Sequence, residues 1–205
     1  MSRRLGVIGA GGHGKVVADT ALRCGWDEVV FFDALAAKEG YSIGHWNVVD
    51  VPENVRLHGC EGVFVAIGNA EHRRNWCERL LSQSLPLVKL IDPSALVSAY
   101  AEISEGVIVV AGAVINVDSR VGRGAIINTR ASIDHDCVVG AYSHVCPAVA
   151  IGGQVCVGES TWLGIGCQIK QCIHIGKGVT VGAGATVLSD IEDSLTVVGT
   201  PARSR

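Results

Sequence analysis

The sequence predicts a small α/β domain over residues 1–90 followed by a parallel β-helix of hexapeptide repeats over residues 91–205, on three observations. First, an aliphatic side chain recurs at every sixth position from Ile91 to Val187, through Ile103, Ile115, Ile127, Val139, Ile151, Leu163 and Ile175, without a break in register. Second, the residue four places on is mostly small (Ala101, Ala113, Ala125, Ala131, Ser143), and the residue one place on is often glycine (Gly122, Gly140, Gly158, Gly164, Gly182). Third, the chain before Ile91 lacks this period and alternates short apolar runs with helical patterns. In a hexapeptide repeat each hexad lays down one short strand and a turn, three hexads close a triangular coil, and the aliphatic positions stack inward. The irregular turn spacing of a Val-rich sandwich would not hold such a register. The glycine and asparagine residues of the repeat are expected at corners that need unusual φ.

The elements before the repeat follow in order. Arg4–Ile8 reads as a short apolar strand that enters Gly9-Ala10-Gly11-Gly12-His13-Gly14. Residues 15–23 read as a helix with Val16, Val17, Thr20 and Ala21 on one face. A second strand over 29–32 ends at Asp33, and residues 34–60 are weakly patterned, with a short strand over 48–51. A buried strand over 63–67 closes at Gly68-Asn69, a helix spans 70–84, and 87–91 leads into the repeat. The pattern is that of a βαβ-type domain.

Bulk properties exclude several classes. The 205 residues carry a net charge of -3, so no basic stripe is available for a nucleic-acid partner. Arg3 and Arg4 are not followed by a long apolar run, so neither a signal peptide nor a membrane-inserted helix is expected, and the expected location is cytoplasmic. The eight cysteines form no C-x-x-C pair and read as reduced thiols, with Cys137 and Cys167 on small-residue positions of the repeat. Aromatic residues make up 5% of the chain, which suits narrow coils.

Gly9-x-Gly11-x-x-Gly14 follows a strand and opens a helix, with Asp33 about twenty residues further on, the spacing of a dinucleotide-binding fingerprint. Exposed N–H groups at a helix start, with side chains absent, let a phosphate approach the backbone. A domain of about 90 residues is a half-Rossmann-like unit, better suited to a mononucleotide diphosphate than to NAD. His13 inside the turn favours a ligand over a bare structural turn. Asp33 could bond a ribose or sugar hydroxyl, or cap the strand end.

A β-helix core is inert, so chemistry belongs where polar residues interrupt the pattern. The densest interruption holds Asn128, Arg130, Asp134-His135-Asp136 and Ser143-His144. His135 is two places after inward Ile133 and His144 five after inward Val139, so neither is expected to be buried in the core. A carboxylate beside an imidazole favours its charged form and raises its basicity, which makes His135 and Asp136 a candidate base and orienter. No metal is expected: His135 and His144 are nine apart, His174 is thirty further on, and no histidine pair has ligand spacing.

Taken together, Gly9–Gly14, Ala66-Ile67-Gly68-Asn69 with Arg73, Ile126-Ile127-Asn128-Thr129, Asp134-His135-Asp136-Cys137, Ser143-His144 and Val198-Gly199-Thr200-Pro201-Ala202 resemble the bacterial nucleotide-sugar N-acetyltransferases, over residues 4–203. The resemblance implies a left-handed β-helix, acetyl-CoA as co-substrate, and acetylation of the 4-amino group of a UDP- or GDP-linked amino sugar. It implies His135 as catalytic base with Asp136 tuning it. It also implies His144 at the acetyl thioester, Ile165 and Ala183 along the coenzyme A channel, and Asn128 near the sugar amine. Gly11, Gly12, His13, Asp33 and Gly68 match nucleotide-sugar contacts, whereas Ala34 stands where one branch carries a second Asp. Sialic-acid O-acetyltransferase-like proteins share the architecture, so O-acetylation is the first alternative. A non-catalytic sugar-binding scaffold and an NAD-dependent enzyme are the others. A homotrimer is expected, because one prism cannot enclose a pantetheine arm while three parallel prisms form clefts walled by two neighbours.

Overall fold

The computed structural model describes residues 3–34 and 41–205, so residues 35–40 of the weakly patterned stretch lie outside the described residues. The chain divides into two compact units, 1–93 and 94–205.

In the first unit, strand β1 (Arg4–Ile8) is followed by helix α1 (Gly12–Arg23) and strand β2 (Glu28–Phe32). Next come β3 (Ser42–Ile43), β4 (Trp46–Asp50), a 3-10 helix over Pro52–His58, β5 (Gly62–Val65), α2 (Ala70–Ser82) and β6 (Leu90–Ile91). The sheet order is β3-β4-β2-β1-β5, with β1 parallel to both β2 and β5 (Val7 opposite Phe31 and Phe64). Leu5, Val7, Phe31, Phe32, Val63 and Phe64 are almost fully buried, the continuous apolar run expected of parallel strands at the centre of a sheet.

Helix α1 begins three residues earlier than the sequence suggests, because Gly11 acts as its N-cap and glycines are tolerated in a first turn whose N–H groups have no helical partner. Its buried face is Gly14, Val17, Ala18, Thr20 and Ala21, at helical spacing; Val17, Thr20 and Ala21 are buried as expected, whereas Val16 is exposed. Two glycines of the turn have identifiable duties. Gly9 sits at φ +105, and a Cβ on Gly14 would come within 2.5 Å of Gly9 O and 2.9 Å of the Phe31 ring, so only glycine lets α1 pack this close to the sheet.

In the second unit a two-residue strand recurs at every sixth residue, from Leu96–Val97 to Thr186–Val187. Each strand pairs in parallel with the one eighteen residues on, as Val121 with Val139 and Val145 with Leu163. This builds three sheet faces: one through Ser132–Ile133, one through Val138–Val139, one through His144–Val145. The inward residues from Val109 to Val187 are all buried, and Ala125, Ala131, Cys137 and Cys167 fill the space beneath the corners with no exposure. After Val187 the coil shortens. Ile191 pairs with Ile175 and Val197 with Val181, sixteen residues apart instead of eighteen, and the last strand, Arg203–Ser204, runs antiparallel.

The corners correct one expectation. Left-handed backbone falls three residues after each inward position, from Gly106 to Gly184, and the residues there include Asp118, Arg130, Asp136, Tyr142 and Gln154, with φ between 56 and 69. The repeat glycines one place after the inward residue, and Asn128 at the same place, do not adopt it. Those glycines answer to crowding: a Cβ on Gly140 would meet Glu159 N at 2.5 Å, and one on Gly122 would meet Ala141 N at 2.6 Å, both in the next coil.

Three buried hydroxyls link successive coils. Thr161 Oγ1 accepts from Val179 N at 3.2 Å and donates to Gly176 O at 2.8 Å. Ser143 does the same with Thr161 N and Gly158 O, and Ser119 with Cys137 N and Asp134 O. In several corners lacking the hydroxyl the N–H reaches the carbonyl three residues back directly, as Cys167 N to Gly164 O at 3.1 Å. The hydroxyl is therefore spliced into the turn hydrogen bond of the next coil, which satisfies every group in a sealed place.

Candidate functional site

The sequence-selected residues gather in three places. The first lies at the carboxyl ends of β1, β2 and β5, where open α/β sheets bind their ligands. Gly11 and Gly12 start α1, exposed and with open space where a side chain would be, and no side chain caps the helix. Asp33 turns back onto this loop: its Oδ2 accepts from Ala10 N at 2.8 Å, so it fixes the turn. The neighbouring turn at Ile67–Gly68 is held by Arg73, a fully buried guanidinium whose Nη1 donates to both carbonyls at 2.7 Å. Asn69 caps α2 by accepting from His72 N at 3.0 Å. The His13 residue keeps partial exposure, but its Nε2 is sealed from solvent. Desolvation, with the charge of Arg73 adding to it, pushes the His13 pKa down to about 4, so the imidazole is neutral at pH 7. The motif position of Arg73 gave no sign that its guanidinium is a buried cation holding the Ile67–Gly68 turn.

The second place is the corner between the first and second faces. His135 Nδ1 lies 2.7 Å from Asp136 Oδ2. Adjacent residues of an extended strand point to opposite sides; these two meet because Asp136 sits at φ 58. Asp134 Oδ1 accepts from His135 N at 2.8 Å and from Asn116 Nδ2 at 3.0 Å, and these bonds hold its carboxyl below the usual carboxylate range. Gln154 N donates to His135 O at 2.9 Å. The hydrogen bond to Asp136, with the charges of Asp134 and Asp136 in support, raises the His135 pKa above its ordinary value. An ionised carboxylate only accepts, so the shared proton belongs to Nδ1 and the neutral ring presents its Nε2 lone pair.

The third place is an apolar cavity of about 410 Å³ on the third face and its following corner, lined by Asn128, His144, Cys146, Trp162, Ile165 and Ala183 among others. His144 is 8% exposed, against expectation. It does point away from the coil axis, but the Trp162 ring covers it edge to face at 4.4 Å. Asn128 Oδ1 accepts from Thr129 N at 2.8 Å, which orients the amide so that Nδ2 faces His144 Nε2 at 3.1 Å. His144 Nε2 is thus the acceptor and its proton sits on Nδ1. Burial raises the Cys146 thiol to about 11. Sequence reading missed Trp162 and Cys146; Trp162 is eighteen residues after His144, one coil on, and that offset would have found it.

The structure thus joins His135 to Asp136, and Asn128 to His144, Ile165 and Ala183, but it does not bring the two groups together. The His135 corner is the edge opposite the face that carries His144. Among the described residues no three His, Cys, Asp or Glu side chains gather to share a metal ion, and no helix is long and apolar enough to cross a membrane.

Residues 4–80 match the PglD N-terminal domain family, and residues 157–189 match the bacterial transferase hexapeptide (six repeats) family. The acetyltransferase domain of PglB from Neisseria gonorrhoeae FA1090, solved in complex with acetyl coenzyme A, is 38% identical, with TM-score 0.95 and full coverage of both chains. PerB from Caulobacter crescentus, solved with CoA and GDP-perosamine, is 39% identical with TM-score 0.91, covering 98% of this chain and 96% of that one. The acyl-[acyl-carrier-protein]--UDP-N-acetylglucosamine O-acyltransferase of Pseudomonas putida is 31% identical over 116 residues, 56% of this chain; the chain spans 45% of that curated relative's length. These relatives and structural neighbours are acyl- or acetyltransferases, and with near-complete coverage at this identity the chain belongs to the hexapeptide-repeat acetyltransferase family of the PglB acetyltransferase domain and perosamine N-acetyltransferase.

Proposed function

We propose that the chain transfers the acetyl group of acetyl-CoA to the 4-amino group of a nucleotide-linked amino sugar, with His135 as general base and Asp136 as its orienting partner. The observation that carries the reading is the His135–Asp136 pair at 2.7 Å on an accessible corner. The sugar amine attacks the thioester carbonyl and its proton passes to His135 Nε2. The C–S bond then breaks, and the imidazolium returns the proton to the departing thiolate, which leaves the ring neutral for the next turnover. Asp136 stabilises the transient imidazolium and keeps the proton of the resting ring on Nδ1.

The other places supply binding. The uncapped N–H groups of α1 at Gly11, Gly12 and His13 take the diphosphate, with Gly68 and Asp33 beside them. A neutral His13 can accept or donate to the sugar nucleotide without adding charge. The apolar cavity at His144, Ile165 and Ala183 takes the thioester end of acetyl-CoA, and Asn128 orients His144 near the amine. Support for these ligands is the near full-length likeness to PerB, solved with CoA and GDP-perosamine, and to the PglB domain, solved with acetyl coenzyme A.

One chain holds His135 and the His144 cavity on opposite sides of its coil, so a site using both draws them from two chains. A cyclic trimer of parallel prisms satisfies this three times over. Thiol release from acetyl-CoA tests the reaction, using UDP-, GDP- and dTDP-linked 4-amino sugars with the hydroxyl analogues as controls. Turnover with one amino sugar and none with its hydroxyl analogue is the expected result; turnover with the hydroxyl sugar alone makes the chain an O-acetyltransferase. His135→Ala is expected to lower kcat by about 10²–10⁴, and near-normal kcat at saturation of both substrates overturns the assignment.

A further inference from the structure

We propose that Gly153 is a positioning residue for the His135 imidazole, the bare backbone floor on which the ring rests. The inference rests on the general-base reading of His135 above. Gly153 is buried one coil beyond His135, and a Cβ built on it would lie 2.7 Å from both Cε1 and Nε2 of that ring and 3.3 Å from Cδ2. No other neighbour comes as near, so the missing side chain is missing on account of the imidazole. Its neighbour Gly152 is a different case: a Cβ there would meet the backbone N of Gln171 at 2.8 Å, the crowding common to the whole repeat. Gly153 is outside the left-handed region, so alanine meets no backbone strain there. The substitution acts through the ring alone.

The ring is fixed from three sides. Asp136 holds Nδ1, Gln154 N and Asp134 hold the backbone of His135, and the ring edge at Cε1 and Nε2 occupies the space that a Cβ of Gly153 would need. A methyl at 153 forces the ring to turn about its side-chain torsions. That stretches the contact to Asp136 and covers the Nε2 lone pair that receives the proton. Because the obstruction is an atom on a rigid coil, the ring must move.

The test is a cycle of Gly153→Ala, His135→Ala and the double variant in the full chain, read by kcat and KM, by melting temperature and by NMR titration of the His135 ring. The expected result for G153A is a fall in kcat of about tenfold or more, toward the loss seen when a general base is removed. KM should change little, and the ring should titrate lower than in the wild type as the Asp136 contact weakens. In the H135A background the same substitution should cost no further activity, and any lowering of melting temperature seen in G153A should disappear, since no ring remains to be struck. The proposal is overturned if G153A keeps wild-type kcat and ring titration, or if its cost is undiminished without His135. The general-base reading fails separately, through H135A alone; the ring titration and the melting cycle still decide the role of Gly153 in that case.

Discussion

Replacing Thr161 by valine removes one oxygen from the sealed interior of the coil and leaves its volume almost unchanged. In the wild type, Val179 N reaches Gly176 O through the Thr161 hydroxyl, by bonds of 3.2 and 2.8 Å. If the backbone stays where it is, two buried groups lose their partners at about 1–3 kcal/mol each, a total of about 2–6 kcal/mol. The coil itself shows a cheaper way out. Val149 occupies the equivalent position two hexads earlier, and the corner beyond it closes directly, Cys167 N to Gly164 O at 3.1 Å. Should the corner beyond Thr161 close likewise, two hydrogen bonds become one, a net loss of about 1 kcal/mol. The Val149 corner decides between these in favour of the smaller figure. Urea unfolding of T161V against the wild type measures it, with V149T as the reverse experiment, expected to be close to neutral. Equal or greater stability in T161V would refute the splice; a loss above about 3 kcal/mol would show that the corner cannot close.

Three further outcomes are expected. A base that works only when neutral, with a pKa raised by Asp136, makes kcat rise with pH through a value above the ordinary histidine pKa of about 6.5; a profile flat from pH 5 to 9 would contradict it. His13 behaves oppositely: its folded-state pKa of about 4 lies below the unfolded value, so its contribution is present above pH 6.5 and is lost as pH falls toward 4. That loss is up to about 3 kcal/mol for the first unit; hydrogen exchange of β1 and β2 amides across this range checks it, and His13→Gln should flatten the dependence. If the proposed trimer forms, mixing H135A chains with chains altered at His144 should regain activity that neither variant has alone, because some sites would then combine an intact His135 with an intact His144 cavity; mixtures as inactive as their parents would mean that the two residues serve one chain's site.

Much of this was legible from the period of six. It located the inward residues from Val109 to Val187 because an aliphatic core tolerates no slip in register. It was less informative about corners, where two different demands look alike in sequence. Glycine at 140 answers crowding from the next coil, while the left-handed place at 136 is filled by Asp, which a search for glycine passes over. The contact between His135 and Asp136 depends on that backbone, so adjacency alone could not establish it. Residues eighteen apart are the true neighbours in this fold. Trp162 over His144 and Gly153 under His135 both escaped a reading confined to single hexads. In the first unit the spacing of the glycine turn was readable, whereas the bond from Asp33 to Ala10 N arises from the meeting of two strand ends.

Cys146 lines the cavity proposed for the acetyl thioester, and a thiolate there would be a competing acceptor. Thiol–thioester exchange would load the acetyl group onto the protein and stall it. With its pKa held at about 11 by burial, only about one thiol in ten thousand is ionised at pH 7. The same apolar walls that shape the cavity therefore hold this sulfur in its thiol form, so that a potential nucleophile lines the proposed path of an electrophile in its less reactive state.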